Sequence, residues 1–290
     1  MSGLPVHNLI VGCGETGLRV AARAVGAGQS VTGIVRSADS ARRVRSVGAV
    51  ARTADLDKPL AGLPVCDRLF YFAPPPREGR ADTRLQRVVD AMGPPPARVV
   101  YISTTGVYGD CDGAWVNEDR AVNPATDRAH RRVDAERRIH AWQPLATVLR
   151  APGIYGPGRL PVERVRCGEP IVDDAEGGWS NRIHIDDLAE VAWQAGQRPW
   201  PHRIYNVTDG HPTRLGDYYD ALAGLLGVPS PPRIPWTEAE RQFSAMRLSF
   251  LRESRRLDTR RLLDDTGLEL TFADFRDGLK ASLRAEPRPA

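Results

Sequence analysis

The chain has 290 residues, of which 41% are hydrophobic and 26% charged, as in a globular protein with one large domain or two closely associated ones. No run reaches the roughly 20 apolar residues of a membrane-spanning helix, and the apolar N-terminal run leads straight into glycines, so we expect a cytoplasmic protein without a membrane partner. The net charge of +4 comes from arginines dispersed among 36 acidic residues, which argues against nucleic-acid binding.

Short apolar runs in the first half of the chain predict the strands of one sheet. They are rich in Val and Ile and bounded by glycine, proline or polar residues, as in strands covered on both faces. The predicted strands are 6–11, 30–35, 67–73, 97–103 and 146–151, with a short extra strand before Asp55. The predicted helices between them are 16–27, 38–47, 80–92 and 125–142. This alternation predicts an α/β fold with a Rossmann-type, doubly wound parallel sheet.

The second half of the chain is less regular and richer in proline and glycine. Only a helix over 184–196 and a strand over 203–208 repeat the earlier pattern, and we expect the remainder to be helical. The sequence predicts a Rossmann domain over 1–156, completed by about 184–208, and a smaller interleaved C-terminal substrate lobe over most of 157–290. We expect the ligand in a cleft between the two, at the carboxyl ends of the strands.

A glycine-rich motif, "LIVGCGETG", follows the first predicted strand. Gly12, Gly14 and Gly17 form a G-x-G-x-x-G pattern between a strand and a helix. Gly12 permits the tight turn, Gly14 lets a pyrophosphate approach the backbone, and Gly17 lets the helix pack on the strand. The helix N-terminus supplies unpaired N–H groups and a partial positive charge. The motif predicts a dinucleotide site.

The residues after the second predicted strand determine which dinucleotide is expected. Arg36 falls 19 residues after Gly17, with Ser37 beside it. A guanidinium can bind a phosphate through two parallel hydrogen bonds, so we predict NADP(H) in preference to NAD(H). Asp39 remains an alternative ligand, for a ribose hydroxyl. Asp55 is expected either to accept a bond from the adenine amino group or to cap a turn.

The four cysteines are widely spaced and show no zinc-binding pattern, so we expect reduced thiols and no metal site.

With these residues the chain resembles the extended short-chain dehydrogenase/reductase family, in its NAD(P)-dependent epimerase/dehydratase branch. The resemblance runs nearly end to end, through the glycine motif, "YISTTGVYGD", "LRAPGIYGPGR", "RIHIDDLAEV", "IYNVTDG" and "FRDGL". It implies a Rossmann domain with a small C-terminal substrate domain. It also implies a small-molecule substrate, often a nucleotide sugar, and a homodimer formed through a four-helix bundle.

The resemblance also assigns site residues. Thr104 corresponds to the family hydroxyl that bonds the substrate oxygen, with Thr105 as the alternative. Two further loop segments, "RVRCGEP" and "GGWSNRIH", are expected to line the substrate cleft, where Arg166 or Arg182 would meet an anionic group. The expected cofactor-binding residues are Gly12, Gly14, Glu15, Thr16, Gly17, Arg36, Ser37, Asp55, Leu56, Ala73, Pro74, Arg132 and Pro152.

The chain departs from the family at the Tyr-x-x-x-Lys pair that transfers the proton. Counting back from Glu136, the lysine place holds Arg132 and the tyrosine place holds Arg128. Arg132 could still hold the nicotinamide ribose, but a guanidinium does not release a proton near neutral pH. Alternatively, the helix is only a solvated element with i,i+4 pairs, Arg132 with Glu136 and Asp134 with Arg138.

A displaced proton donor would have to come from elsewhere in the chain. Tyr108 and Tyr155 are the main candidates, with His130 and His184 beside them, and each has a packing or capping role as its alternative. We therefore expect an NADP(H)-dependent oxidoreductase, epimerase or dehydratase of atypical mechanism. The alternative is a non-catalytic NADP(H)-sensing regulatory or binding protein.

Overall fold

The computed structural model describes residues 6–285, which form two interleaved compact units. The first unit comprises the chain up to 107, 124–150 and 188–205, and the second comprises 108–123, 151–187 and the chain from 206 onward. Within the described residues, no helix combines the length and the apolar character needed to cross a membrane.

The strands are β1 (His7–Val11), β2 (Ser30–Val35), β3 (Val50–Thr53), β4 (Arg68–Tyr71), β5 (Arg98–Thr104), β6 (Trp115–Val116), β7 (Thr147–Ala151), β8 (Gly153–Tyr155), β9 (Ile171–Val172), β10 (Trp179–Ser180), β11 (Arg182–His184), β12 (Ile204–Asn206), β13 (Thr213–Arg214), β14 (Arg233–Ile234) and β15 (Arg256–Leu257). The helices are α1 (Glu15–Gly26), α2 (Ala38–Ser46), α3 (Thr83–Met92), α4 (Asp127–Trp142), α5 (Val162–Arg166), α6 (Ile185–Gln197), α7 (Leu215–Leu226), α8 (Trp236–Gln242), α9 (Ala245–Leu251), α10 (Arg260–Thr266) and α11 (Phe275–Ala285).

The first unit is built on a seven-stranded sheet in the order β12-β7-β5-β4-β1-β2-β3. The strands from β5 to β3 pair in parallel. The strand order reverses between β1 and β4, and ligands of such sheets bind outside the carboxyl ends of the strands at this point. The predicted α/β, Rossmann-type class is confirmed.

The core of the first unit packs the sheet against α3 and α4. Leu9 and Leu69 from the sheet, Leu85 from α3 and Ile139 from α4 belong to one buried cluster. The helix starts follow from local capping: Asp82 accepts a hydrogen bond from the backbone N–H of Leu85, so α3 begins at Thr83, not at the predicted residue 80.

The second unit combines helices with four two-stranded sheets, which pair β10 with β13, β11 with β8, β14 with β9, and β15 with β6. The prediction that the chain after about residue 156 is helical apart from a strand over 203–208 was therefore wrong in detail. Strands of two or three residues are too short to show a hydrophobic period in the sequence. One of its core clusters brings Tyr155 together with Tyr218 and Leu222 of α7 and Phe275 of α11.

Candidate cofactor and substrate sites

Gly12 forms the tight turn at the carboxyl end of β1. Its φ is +83°, and a Cβ atom there would lie 2.4 Å from the backbone nitrogen of Ala73. The backbone N–H groups of Gly12 and Cys13 both donate to the carbonyl of Ile34, at 3.1 Å, and thereby attach the turn to β2. Only glycine fits this position, as the motif predicted.

Gly14 forms an open cradle at the N-terminus of α1. A Cβ atom on Gly14 would meet nothing within 4 Å, and no side chain caps the helix there. The first N–H groups of α1, at Glu15, Thr16 and Gly17, have no carbonyl partner inside a helix by its geometry. Gly17 packs close to β1, since its Cβ would lie 3.1 Å from Ile10 Cγ2. This combination of open space, N–H donors and helix dipole fits a pyrophosphate.

The carboxylate of Glu15 lies in this same first turn, where it would repel a phosphate if it were unpaired. It forms ion pairs with Arg19, at 3.2 Å, and with Arg43 of α2. Burial by itself raises the pKa of the Glu15 carboxyl. The two arginines together lower it by more, so the pKa lies below its usual value. The two guanidiniums therefore offset the negative charge beside the cradle.

Arg36 is exposed immediately after β2 and forms no hydrogen bond or ion pair with any residue in 6–285. Ser37 next to it caps α2, since its Oγ accepts a bond from the N–H of Ser40 at 3.2 Å. The carboxylate of Asp39, the alternative ribose ligand, pairs with Arg42. Among these neighbours, Arg36 is the cation that remains available for a phosphate.

The carboxyl ends of β3 and β4 carry the next predicted residues. Asp55 Oδ1 accepts a bond from the N–H of Asp57 at 3.0 Å, so Asp55 makes the turn cap that was one of its two expected roles. Leu56 follows it and is half-buried.

The loop after β4 carries Ala73 and Pro74. Ala73 is buried against Gly12, and the carbonyl of Pro74 accepts a bond from Arg84 at 3.0 Å.

Arg84 and Asp57 form a pair that the sequence patterns did not identify. Arg84 Nε and Nη2 donate to the two carboxylate oxygens of Asp57 at 2.7 and 2.5 Å, and Nη1 donates to the carbonyls of Pro74 and Pro75. The side chain thus joins the loop after β3 to the loop after β4. Residues 27 positions apart leave no local signal of such a pair.

Arg132, in the family's lysine place, is bound to β5. Its Nη1 donates to the hydroxyl of Tyr101 at 3.0 Å and to the carbonyl of Ile102 at 3.1 Å. Because β5 ends at Thr104, Arg132 holds the strand that carries the predicted substrate-binding hydroxyl. Arg128, in the tyrosine place, is half-buried on the same helix.

The predicted surface pair of Arg132 with Glu136 is wrong. Glu136 is buried, and its carboxylate accepts bonds from Arg150 of β7, at 2.7 and 3.1 Å, and from Ser103 Oγ of β5. The second predicted pair, Asp134 with Arg138, is confirmed at 2.7 Å. The α4 helix therefore has a charged inner face that ties it to two strands, and it is not simply a solvated helix.

Thr104 and Thr105, the two candidate substrate-binding hydroxyls, differ in accessibility. Thr104 is half-buried, and its Oγ1 accepts a bond from the N–H of Gly106 at 3.2 Å, which leaves the hydroxyl proton free to be donated. Thr105 begins a short 3₁₀ turn and is only 4% exposed. Thr104 is the better placed of the two to meet a ligand.

The candidate proton donors of the second unit are buried. The hydroxyl of Tyr108 donates to Asn206 Oδ1 at 2.8 Å, and Tyr108 is 1% exposed. Burial also raises the pKa of Tyr155, whose hydroxyl has no hydrogen-bond partner among the described residues. His184 is also buried, with Nδ1 at 3.3 Å from the backbone nitrogen of Asp186 and Nε2 at 3.2 Å from Ser282 Oγ. Pro152 lies between β7 and β8 and is half-buried.

A pocket of about 590 Å³ lies within the second unit. Gly177, Gly178 and Trp179, from one of the predicted cleft segments, line it together with Arg214, whose guanidinium lies 4.5 Å from the centre of the Trp179 ring. The two arginines expected to meet an anionic group lie elsewhere. Arg182 is buried with its guanidinium on the Tyr218 and Phe275 rings, and Arg166 pairs with Glu163 at the surface. Among residues 6–285, no three His, Cys, Asp or Glu side chains are grouped to hold a metal ion.

Three proteins similar to this chain place it in a family. The chain is 30% identical over 240 residues to protein YeeZ of Escherichia coli K12, a match that covers 77% of this chain and 84% of YeeZ. It is also 30% identical to a conserved protein of unknown function from Silicibacter pomeroyi, with a TM-score of 0.86 over 97% of this chain and 99% of the other. A putative NAD-dependent epimerase/dehydratase from Methylobacillus flagellatus is 26% identical, with a TM-score of 0.71 over 97% and 99% of the two chains.

No protein-family profile matches the chain. The full-length agreement in fold and the identity to YeeZ carry the assignment instead. The chain belongs to the family of YeeZ, and its fold is that of the NAD(P)-dependent epimerase/dehydratase proteins.

Proposed function

We propose that the first unit binds NADP(H) at the carboxyl ends of β1 to β4. The observation that carries this proposal is the open cradle at Gly14, where the N–H groups at the start of α1 can bond a pyrophosphate. Arg36 binds the 2′-phosphate, because it is exposed immediately after β2 and forms no hydrogen bond or ion pair with residues 6–285. Asp55 and Leu56 flank the adenine.

Solved structures with a similar fold support the binding of a dinucleotide, but they do not distinguish NAD(H) from NADP(H) for this chain. A human epimerase family protein, 19% identical with a TM-score of 0.75, was solved with NADPH, and a UDP-glucuronic acid 4-epimerase from Bacillus cereus was solved with NAD. Because both cofactors occur on this fold, the arginine after β2 is the feature that favours the phosphorylated one here.

The proposed reaction is that of an oxidoreductase, epimerase or dehydratase acting on a small molecule. The nicotinamide supplies or accepts a hydride when it is bound. Thr104 donates its hydroxyl proton in a hydrogen bond to the substrate oxygen, and Arg132 positions Thr104 by holding β5. A nucleotide sugar is the proposed substrate class, since a related epimerase from Thermotoga maritima was solved with UDP-glucose. A homodimer remains a prediction.

A second function, an NADP(H)-sensing protein without turnover, is favoured by the state of the proton donors. Arg132 and Arg128 replace the family pair, Tyr108 is bonded to Asn206, and burial raises the pKa of Tyr155. The guanidiniums do not release a proton near neutral pH, the Tyr108 hydroxyl already donates to Asn206, and the raised pKa makes Tyr155 a weaker acid. The two functions share the cofactor site and differ only in turnover.

Nicotinamide fluorescence tests the cofactor site. We expect NADPH to bind at least about tenfold more tightly than NADH, a difference of about 1.4 kcal/mol, and the Arg36→Glu variant to lose this preference. The Arg45→Glu variant is the matched control, since it makes the same charge change at an exposed position of α2 outside the site. Equal binding of the two cofactors, or a preference that survives Arg36→Glu, would contradict the assignment.

Oxidation of NADPH across a panel of carbonyl compounds and nucleotide sugars separates the two functions. An enzyme is expected to show turnover that Thr104→Val abolishes and Thr104→Ser retains, because serine keeps the hydroxyl. Tight NADPH binding without turnover on any member of the panel would support the sensing protein.

A further inference from the structure

Asp57 and Arg36, the cation that the proposed function assigns to the 2′-phosphate, follow two strands that are neighbours in the sheet. Val35 of β2 is paired in register with Thr53 of β3, and the N–H of Ala54 donates to the carbonyl of Val35 at 2.9 Å. Arg36 and the loop that carries Asp57 therefore leave neighbouring strands at the same edge of the sheet. An Asp57 carboxylate without another partner would be a natural ion-pair partner for Arg36.

Arg84 occupies that carboxylate. Both oxygens of Asp57 accept bonds from its guanidinium, in the bidentate geometry that is the strongest arginine–carboxylate arrangement. The Arg84 side chain is only 15% exposed, and its remaining nitrogen is bound to the carbonyls of Pro74 and Pro75. It is therefore held in place from two loops.

The pKa of the Asp57 carboxyl is consistent with this arrangement. The hydrogen bond from Arg84 lowers the pKa of Asp57 below its usual range, and the more distant charges of Arg87 and Arg36 lower it further. The carboxylate thus already interacts with Arg36 across space, while its close contacts are with Arg84.

We propose that Arg84 determines cofactor specificity by occupying the carboxylate of Asp57, which leaves Arg36 available for the 2′-phosphate. This inference rests on the proposed function, because it concerns the same NADP(H) site. Without Arg84, Asp57 pairs with Arg36 and its negative charge faces the phosphate. The affinity for a cofactor with a 2′-phosphate therefore falls, whereas the affinity for a cofactor without this phosphate is retained.

A double-mutant series measures this effect directly. In the Arg84→Met variant we expect the affinity for NADPH to fall about fivefold, the scale of one partly exposed ion pair, while the affinity for NADH changes less than about twofold. Adding Asp57→Asn to Arg84→Met is expected to restore the wild-type ratio of the two affinities. Arg87 lies on the same helix and bonds the carbonyl of Leu56, not Asp57. In the matched Arg87→Met variant we therefore expect the wild-type ratio of the NADPH and NADH affinities.

A purely structural role for Arg84 predicts a different pattern. Arg84→Met would then lower the affinities for NADPH and NADH equally, and the double variant would bind NADPH no better than the single variant. Either result overturns the inference. If Arg84→Met does not fold, as its melting temperature would show, Asp57→Asn alone carries the test. Its NADPH preference is expected to equal or exceed that of the wild type, and a reduced preference contradicts the inference. Failure of the wild-type protein to prefer NADPH would instead overturn the proposed function.

Discussion

Gly12 and Gly14 stand two residues apart in one turn, yet they differ in what a methyl group would meet. We expect Gly12→Ala to lose more than about 2 kcal/mol of stability, because alanine at φ +83° is strained and its Cβ would overlap the backbone of Ala73. Gly14→Ala is expected to cost less than about 1 kcal/mol, since its Cβ points into open space at a helix N-cap.

Cofactor binding should separate the two glycines in a different way. The added methyl group at Gly14 occupies the space proposed for the pyrophosphate, so Gly14→Ala is expected to keep its melting temperature and lose NADPH affinity. Thermal unfolding and fluorescence titration of the two variants check both parts. A Gly14→Ala variant that binds NADPH like the wild type would contradict the phosphate cradle.

Asp209 gives the second unit a predicted pH dependence. It is 3% exposed, its Oδ2 has no hydrogen-bond partner among the described residues, and burial raises its pKa to about 6. A folded-state pKa above the unfolded value of about 3.8 means that the contribution to stability is present below about pH 4 and is lost as the pH rises through about 6. The full change is about 3 kcal/mol.

The Asp209→Asn variant isolates this contribution. Asparagine keeps an oxygen for the N–H of His211, which Asp209 Oδ1 bonds at 3.0 Å, and it carries no charge. We expect urea unfolding to show the variant gaining stability relative to the wild type between pH 4 and 7. Parallel curves for the two proteins over that range would contradict a buried, destabilised carboxylate.

The residues of the glycine motif could be predicted from the sequence, because each acts on backbone a few positions away. The position of Arg36 directly after β2 could also be predicted, from the strand expected over 30–35, while its role stays a prediction. The pairs of Arg84 with Asp57 and of Glu136 with Arg150 could not be predicted, since they join residues whose proximity only the folded sheet creates.

At the scale of single elements, α4 carries Arg128 and Arg132 at the positions where the resemblance expects a tyrosine and a lysine. Its inner face places Glu136 between Arg150 and Ser103, and Arg132 against β5. Breaking a buried ion pair by removing one partner leaves an uncompensated charge and costs about 3 to 5 kcal/mol. We expect a loss of this size in Arg150→Met, measured by urea unfolding.

Two variants complete that measurement. Adding Glu136→Gln to Arg150→Met removes the uncompensated charge and is expected to recover part of the loss. Arg80→Met, which breaks the exposed pair with Asp127, is expected to cost less than about 1 kcal/mol. A similar, small effect of the buried and the exposed substitution would show that α4 does not depend on its charged inner face.

Elements of the first unit were predictable because they are long and strongly patterned. The β-α alternation in the sequence predicted the parallel sheet. A side-chain cap such as Asp82 explains why a helix begins later than predicted. The short strands of the second unit were missed, because β6, β9, β10, β13, β14 and β15 have two residues each and depend on partners distant in the chain.

At the scale of the whole molecule, the chain has a parallel sheet, a glycine turn after β1 and a threonine hydroxyl at the end of β5. It has arginines at the two positions where the resemblance expects a tyrosine and a lysine. Cofactor binding is therefore the property that its structure most strongly supports, and turnover is the separate question.

A crystal structure of the protein with NADP⁺ is the most direct test of the proposed cofactor site. We expect the 2′-phosphate within hydrogen-bond distance of Arg36, the pyrophosphate at the N–H groups that follow Gly14, and Asp57 still bonded to Arg84. A 2′-phosphate bound by other residues, with Arg36 paired to Asp57, would contradict it.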